Sequence, residues 1–533
     1  MNENKISFRF KPQQWVLIAS ATGLLLHLAW FPNGVTFLIF IALIPLFYID
    51  QYVEKKRLTV FSLYFTGFFL FNLLSGWWMY SSTIAGSLLA HLFNATYMAL
   101  VFTAWSFVKK LWRSSIMQLI VLMVLWLTFE FLHQNWELAW PWFTLGNVFA
   151  AKTGWIQWYS ITGSLGGSAW VIGVNGLLFL SLKNFFHGNK SISLVLIVTS
   201  LMVILIPVTL SFQMKENSDL TYGGRLNVLI VQPNIHPTKE KFAGMTAEQQ
   251  LTKALNIMKM GLTDETELII FPETMLVDAL DEELLNTSEQ TGLIEKLTEN
   301  ISVPVLTGAF TKRFKAWHST DASAVVNDSV PYVLYNSALL IQKEQIQVYH
   351  KQRLVPLVEK QPFFSVMKPL RSFVEKSGGF FGRYGTHNDS DIFHLNDSTE
   401  MQPVICFESA FGLTPSSPKM LPGLIVIITN DGWWRSAGGY KQHLQLARLR
   451  AIETGKWVVR SANTGVSAVI DPYGQIQAQS IYGSAETIIF NVPLIAHSTF
   501  YSLNRKYMDS APLWLSLLIF GVVWIRKIIF KKR

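Results

Sequence analysis

Eight apolar runs decide what this chain can fold into. Seven fill the first 212 residues: Trp15–Trp30, Val35–Ile49, Val60–Tyr80, Leu88–Val108, Ile116–Leu132, Ser168–Phe185 and Leu194–Phe212. The eighth, Leu513–Phe530, closes the sequence. A helix that crosses a bilayer takes about 20 apolar residues. The first two runs are near or below that length and are interrupted around Pro32 and Pro45. We read all eight as spans; the first two could instead form one re-entrant hairpin. The basic residues alternate with them. Lys5, Arg9 and Lys11 precede the first run, and Lys55, Lys56 and Arg57 follow the second. Lys109, Lys110 and Arg113 follow the fourth, Lys183 and Lys190 follow the sixth, and Arg526 to Arg533 end the chain. The connections around Asn33 and Ser81–Gly86 carry no Lys or Arg. Basic loops stay in the cytoplasm. The alternation therefore predicts cytoplasmic termini, with the segment 213–512 outside.

The net charge of +9 follows from these loops and does not point to nucleic acid. Half of the residues are hydrophobic and 15% are charged, too apolar for a soluble protein of this length. A single cysteine excludes an intrachain disulfide. No cleavable signal peptide is evident at the first run. The connection His133–Gly163 carries Trp136, Trp140, Trp142, Trp155 and Trp158, a composition expected of an interfacial anchor or of a wall beside a lipid entrance. Glu130, His133 and His91 lie near span ends and are expected to be solvated there.

Residues 225–494 have another texture. Leu226–Gln232, Glu267–Phe271, Val303–Gly308, Ser337–Ile341, Val404–Cys406, Leu424–Thr429, Trp457–Ser461 and Val466–Ile470 read as strands. Thr246–Gly261 and Lys441–Thr454 read as helices, and Asp471–Gly474 as a turn between strands. Strands alternating with helices argue a layered α/β domain. The Gly- and aromatic-rich stretch Phe373–Asp391 is expected to be a mobile apolar loop over the site.

Three strand ends in that segment carry chemistry. Glu273 follows Phe271-Pro272, Lys351 follows Tyr349-His350, and Cys406 ends an apolar strand. A lone buried cysteine is usually inert. Beside a carboxylate and a lysine it can be a nucleophile. Glu273 can then carry the thiol proton, and Lys351 can stabilise an oxyanion together with a backbone N–H near Phe407. Burial is expected to raise the Glu273 carboxyl, and Lys351 to favour the thiolate.

These residues resemble the Glu-Lys-Cys triad of the nitrilase superfamily over roughly residues 225–494. The resemblance rests on Pro272-Glu273, Lys351, Cys406-Phe407-Glu408, Asn430–Trp434 and Arg448 to Asn463. With the flanking spans, with Val355-Pro356 and Glu359 after the lysine, and with Pro141-Trp142-Phe143 leading to Gly146, the whole chain resembles the apolipoprotein N-acyltransferase family.

The resemblance implies a transmembrane bundle of about eight spans carrying an extracytoplasmic α-β-β-α sandwich. It divides the chain into 1–212, with seven helices, 213–500, the catalytic domain, and 501–533, the last helix and its basic tail. It implies a bacterial inner-membrane protein, expected to be monomeric. The acyl donor would be a phospholipid and the acceptor a diacylglyceryl-cysteine lipoprotein, by way of a thioester on Cys406, in ping-pong order. It implies neither cofactor nor metal. Glu359 would orient Lys351 and the substrate, and Glu408 would line the site. Phe407 stands where the family often has tyrosine. Phe242 is the nearest candidate for a tryptophan found in some members. The alternative is a membrane-tethered amidase or nitrilase that uses water as acceptor.

Overall fold

A computed structural model describes residues 11–30, 32–53, 57–82, 84–216, 222–285, 303–314, 324–325, 331–343, 345–363, 369, 383–386, 392–413, 423–434 and 438–531. The chain divides into two compact units. One comprises residues 1–136, 140–217 and 504–533; the other comprises 137–139 and 218–503.

The first unit is helical. Its helices are α1 (Pro12–Ala29), α2 (Ile44–Tyr52), α3 (Arg57–Gly76), α4 (Ile84–Val108), α5 (Ser115–His133), α6 (Tyr159–Phe186) and α7 (Lys190–Glu216). The long terminal helix Phe500–Lys531 contributes its later residues. Six helical stretches among the described residues are long and apolar enough to cross a membrane: Leu58–Ser81, Ile84–Leu111, Ser115–His133, Tyr159–Phe186, Lys190–Glu216 and Phe500–Ile525. The second apolar run is not one continuous helix. It is a 3-10 turn, Thr36–Phe40, followed by α2, whose second residue is Pro45. A break like this strands backbone groups where no water can reach them. Asn175 of α6 supplies the missing partners. Its Oδ1 accepts from Leu43 N at 2.8 Å, and its Nδ2 donates to Ile39 O at 2.8 Å. Helices α1 and α3 meet at Gly23 and Gly67. A Cβ on Gly23 would lie 2.5 Å from Gly67 O, so this crossing calls for glycine there.

Two sequence expectations fail in this unit. Glu130, His133 and His91 are buried, not solvated. Glu130 Oε1 accepts from Trp126 Nε1 and from Leu145 N, both at 2.8 Å, and so ties the connection after α5 to the bundle. Nor is that connection wholly an interfacial belt. Residues 141–150 are all buried, with Trp142 inaccessible to solvent. Trp142 packs against Trp78 and Trp140, and Phe143 against Trp30 and Phe71. Ring-on-ring packing inside the bundle leaves these side chains no headgroup contact.

The second unit is two sheets face to face, with helices outside. The first sheet contains β1 (Tyr222–Gln232), β2 (Leu268–Ile270), β3 (Leu276–Asp281), β4 (Val305–Phe314), β5 (Ala324–Val325), β6 (Tyr332–Ile341) and β7 (Ile346–His350). The second runs from β8 (Phe393–Asn396) through β9 (Thr399–Ile405), β10 (Leu424–Thr429), β11 (Trp457–Ala462) and β12 (Ala468–Ile470) to β13 (Ile476–Gln479). Strand β14 (Glu486–Ile495) returns to pair antiparallel with β1. The order in the first sheet is β14-β1-β2-β4-β6-β5, with β3 on β4 and β7 on β6.

Period-two alternation builds the layers. Val228 and Ile230 of β1 meet Ile405, Val426 and Val459 of the other sheet. Leu229 and Val231 face the opposite way, onto Leu251, Ala254 and Met258 of α8 (Ala247–Gly261). On the other side Ile425, Ile427 and Val458 pack on Leu444, Ala447 and Ala451 of α9 (Gly439–Thr454). The layers are therefore α-β-β-α, as the resemblance implies. Ion pairs from Lys360 and Arg383 hold Glu137 to this unit, at 3.7 and 4.0 Å.

Candidate active site

Strands β1, β2 and β4 run parallel in one sheet, and β9, β10 and β11 in the other. Parallel strands end together, and sites form past their carboxyl ends. Glu273 follows β2, Cys406 follows β9, and Asp431 follows β10. Lys351 follows β7, and its N–H donates to Asn336 O of β6 at 2.8 Å. Glu359 returns to the lysine after a short loop: its Oε2 accepts from Val355 N at 2.8 Å.

Lys351 Nζ donates to Glu273 Oε1 at 3.1 Å and to Glu359 Oε1 at 2.7 Å. Asn336 Nδ2 reaches the same two oxygens, at 2.8 and 3.1 Å. All four side chains are buried, with Lys351 at 1% exposure. Two anions and one cation in a dry site need such shared donors. Beneath them Lys241 Nζ donates to Glu273 O at 3.0 Å and to Thr274 Oγ1 at 2.6 Å. Gly308 lets β4 pass close by, since a Cβ there would lie 2.4 Å from Thr274 N and 2.6 Å from Glu273 Cα.

Thr274 and Cys406 both have left-handed backbones, φ 50° and 51°. For a residue with a Cβ this costs roughly 1–2 kcal/mol, and such strain gathers at functional positions. Glu408 restrains the turn around Cys406. Its Oε2 accepts from Ile405 N at 2.6 Å. Its Oε1 accepts from Gln352 N at 2.6 Å, Arg353 N at 3.2 Å and Tyr349 OH at 2.9 Å. Glu408 is thus more than a wall: it ties the cysteine turn to the lysine loop. Phe407 is buried with its ring edge-on to Phe411, centroids 5.2 Å apart. Phe242 is half exposed and stacks on Trp433, centroids 5.6 Å apart.

Burial would raise the Glu273 carboxyl, but Lys351, Asn336 and Lys241 together hold it below its ordinary range. Here the expectation from the sequence fails, because the cation is in direct contact. Burial likewise acts to lower the Lys351 ammonium, but Glu273, Glu359 and Cys406 hold it well above ordinary lysine values. The Cys406 thiol goes up, through burial first and then Glu273, with Lys351 only partly opposing. These directions favour a protonated Cys406 thiol and an ionised Glu273. Burial pushes Glu408 to about 7 and Lys241 down to about 7. Tyr384 is raised to about 12, by burial and then by Glu359, which places its ring beside the same cluster.

Sequence reasoning missed Asn336, Lys241 and Tyr384. Asn336 could have been found as the amide that enters the apolar run Ser337–Ile341, on the strand beside the lysine's. Apart from Arg383–Thr386, the loop Phe373–Asp391 lies outside the described residues.

The profile of the carbon-nitrogen hydrolase family matches residues 228–496, and that of the apolipoprotein N-acyltransferase N-terminal domain matches residues 22–177. The chain belongs to the carbon-nitrogen hydrolase family, in its apolipoprotein N-acyltransferase branch. Apolipoprotein N-acyltransferase of Chlorobaculum tepidum is 26% identical over 505 residues, 92% of each chain. Apolipoprotein N-acyltransferase 2 of Treponema denticola is 27% identical over 431 residues, 76% of each. The Rhodopseudomonas palustris apolipoprotein N-acyltransferase is 38% identical over 173 residues, 32% of this chain and 31% of that one. In carbon-nitrogen hydrolase terms, the matched region spans every residue of the cluster from Lys241 to Cys406.

Proposed function

We propose that this chain transfers an acyl group from a membrane phospholipid, through a thioester on Cys406, to the α-amine of a diacylglyceryl-cysteine lipoprotein. One observation carries the reading. Glu273, Lys351 and Glu359 converge in a buried cluster that acts on the Cys406 thiol, in a chain that also matches the acyltransferase N-terminal domain. A membrane-tethered amidase acting on a soluble substrate would need only one anchor, not a whole acyltransferase N-terminal domain, so hydrolysis is the less favoured reading.

Glu273 takes the Cys406 proton as sulfur attacks the ester carbonyl. Lys351 Nζ and the N–H of Phe407 stabilise the oxyanion. The ester bond breaks, Glu273 returns the proton to the glycerol oxygen, and a lysophospholipid leaves. The lipoprotein amine then attacks the thioester, Glu273 takes its proton, and the thiol is restored with an amide formed. Glu359 holds Lys351 in place throughout. The order is ping-pong.

The arrangement in the membrane is part of the proposal. The region 1–212 and the terminal segment 501–533 supply eight spans, the shorter first two included, and both termini are cytoplasmic. Residues 213–500 stand on the outer face of a bacterial inner membrane. The acyl chain enters sideways, because drawing it through water would cost about 0.8 kcal/mol per CH₂.

The test is mass spectrometry of purified protein incubated with phospholipid and no acceptor. An acyl adduct is expected on Cys406, discharged by a lipopeptide with a free amine. An adduct on another residue, or full activity in Cys406→Ala, would overturn the reading.

A further inference from the structure

The carbonyl of Cys406 is held from the side away from Glu408. Ser409 Oγ donates to Cys406 O at 2.9 Å, and His443 Nε2 lies 3.0 Å from the same oxygen and 2.7 Å from Ser409 Oγ. The other ring nitrogen of His443 lies 2.9 Å from Asp431 Oδ1. Asp431 is in turn fixed by Arg460 Nη2 at 2.7 Å and by Thr429 Oγ1 at 3.1 Å. Arg460 is fixed by Val466 O at 2.6 Å, and the edge of Trp434 abuts the imidazole. Ser409, His443, Asp431 and Arg460 have no exposed surface. Arg460, then His443, outweigh the burial of Asp431 and hold its carboxyl at about 2, so the relay carries a full carboxylate.

This geometry resembles a Ser-His-Asp triad, but no substrate can reach a hydroxyl this enclosed. Its target is a peptide group. The C=O of Cys406 and the N–H of Phe407 belong to one planar trans unit, so a carbonyl pinned in direction pins the N–H pointing the opposite way. That N–H is the backbone donor the mechanism gives to the oxyanion. We propose that His443, seated by Asp431 and Arg460, is a positioning residue that acts with Ser409 to aim the Phe407 N–H by gripping the Cys406 carbonyl. The proposal rests on the acyl-transfer reading above. It accounts for a charged, fully buried network directly behind a left-handed cysteine.

The test compares two reactions of the same thiol in the full-length protein in detergent micelles. Acylation by phospholipid passes through an oxyanion; alkylation by iodoacetamide does not. Loss of one oxyanion donor costs about 10²- to 10³-fold. His443→Ala is expected to lower the rate of Cys406 acylation about 10²-fold with KM unchanged, while alkylation stays within about threefold of wild type. His443→Gln, whose amide N–H can reach the Nε2 position, is expected to recover most of the loss. Ser409→Ala is expected to fall between wild type and His443→Ala, and it carries the test if His443→Ala does not fold. Equal losses in acylation and alkylation, or acylation at the wild-type rate in Ser409→Ala and His443→Ala alike, would overturn the proposal. Absence of any Cys406 adduct in the wild type would instead overturn the acyl-transfer reading itself.

Discussion

Lys351 Nζ lies closer to Glu359 than to Glu273, 2.7 Å against 3.1 Å. In the proposed mechanism the shorter bond goes to the carboxylate that moves no proton. Glu359 therefore anchors the ammonium, and Glu273 keeps a weaker hold that it can release when it accepts a proton. Glu359→Gln keeps an acceptor but removes the charge. Losing one charge-assisted hydrogen bond is worth about 1.5–3 kcal/mol, so acylation should slow roughly 10- to 100-fold. The rate of Cys406 adduct formation measures it. A wild-type rate would remove Glu359 from the machinery.

The pH dependence follows from the directions at the site. Glu273 is held below its ordinary value and Cys406 above its own. Acylation should therefore lose activity on the acid side only as pH falls below the usual carboxylate range. Iodoacetamide should react with Cys406 slowly at pH 8–9, with no plateau there, because the thiol stays protonated. A plateau near pH 7 would mean a resting thiolate. Glu273→Gln should abolish acylation and leave the alkylation profile without its catalytic component.

Asp431 makes a prediction about stability. Its folded value of about 2 lies below the ordinary 3.8. A depressed carboxyl stabilises the fold above its unfolded value and loses that contribution as pH falls through the folded one. The catalytic unit should thus weaken between about pH 4 and 2. Asp431→Asn at pH 7 leaves Arg460 buried without its charge partner and should cost about 3–5 kcal/mol. Thermal melts in micelles would read it, and Arg460→Met added to Asp431→Asn should restore part of the loss.

Gly308→Ala tests how tightly the base is placed. The new Cβ would press on the Glu273 backbone and not on a flexible side-chain tip. Displacement of a catalytic group by about 1 Å can cost 10²-fold. We expect that loss in acylation together with a lowered melting temperature, since overpacking a buried site costs about 1–3 kcal/mol. A normal rate would show that β4 can yield.

Topology has its own measurement. The proposed arrangement puts the loops that carry Lys109, Lys110 and Arg113, and Lys183 with Lys190, in the cytoplasm. Reporter fusions after Phe212 and after Arg533 should report opposite faces of the membrane. The same face for both would end the eight-span arrangement.

The parts of the fold that were legible in the sequence were those written in local hydropathy. Val404–Cys406 and Leu424–Thr429 read as strands because buried parallel strands are continuous apolar runs, and the structure has β9 and β10 there. Strand β14 was missed because Glu486–Ile495 mixes polar residues into a half-covered edge, and of β7 only the end beside Lys351 was read. The site's carboxylate, lysine and thiol could be singled out by type and by position at strand ends. Their electrostatics could not. Whether Glu273 goes up or down depends on Lys351, which is 78 residues away in sequence and 3.1 Å away in space. Asn336 and His443 escaped for the same reason, since each is defined by side chains from distant parts of the sequence. Burial of Glu130 was hidden because hydropathy does not say which side of a helix faces its neighbours.

The bond between Asn175 and Leu43 sets a schedule for synthesis. The two residues are 132 positions apart. At roughly 5–20 residues per second, the ribosome needs roughly 7–26 s to get from one to the other. During that interval the broken segment Thr36–Leu43 has no amide to complete it. On the proposed topology the first two spans are therefore completed only once α6 has been made.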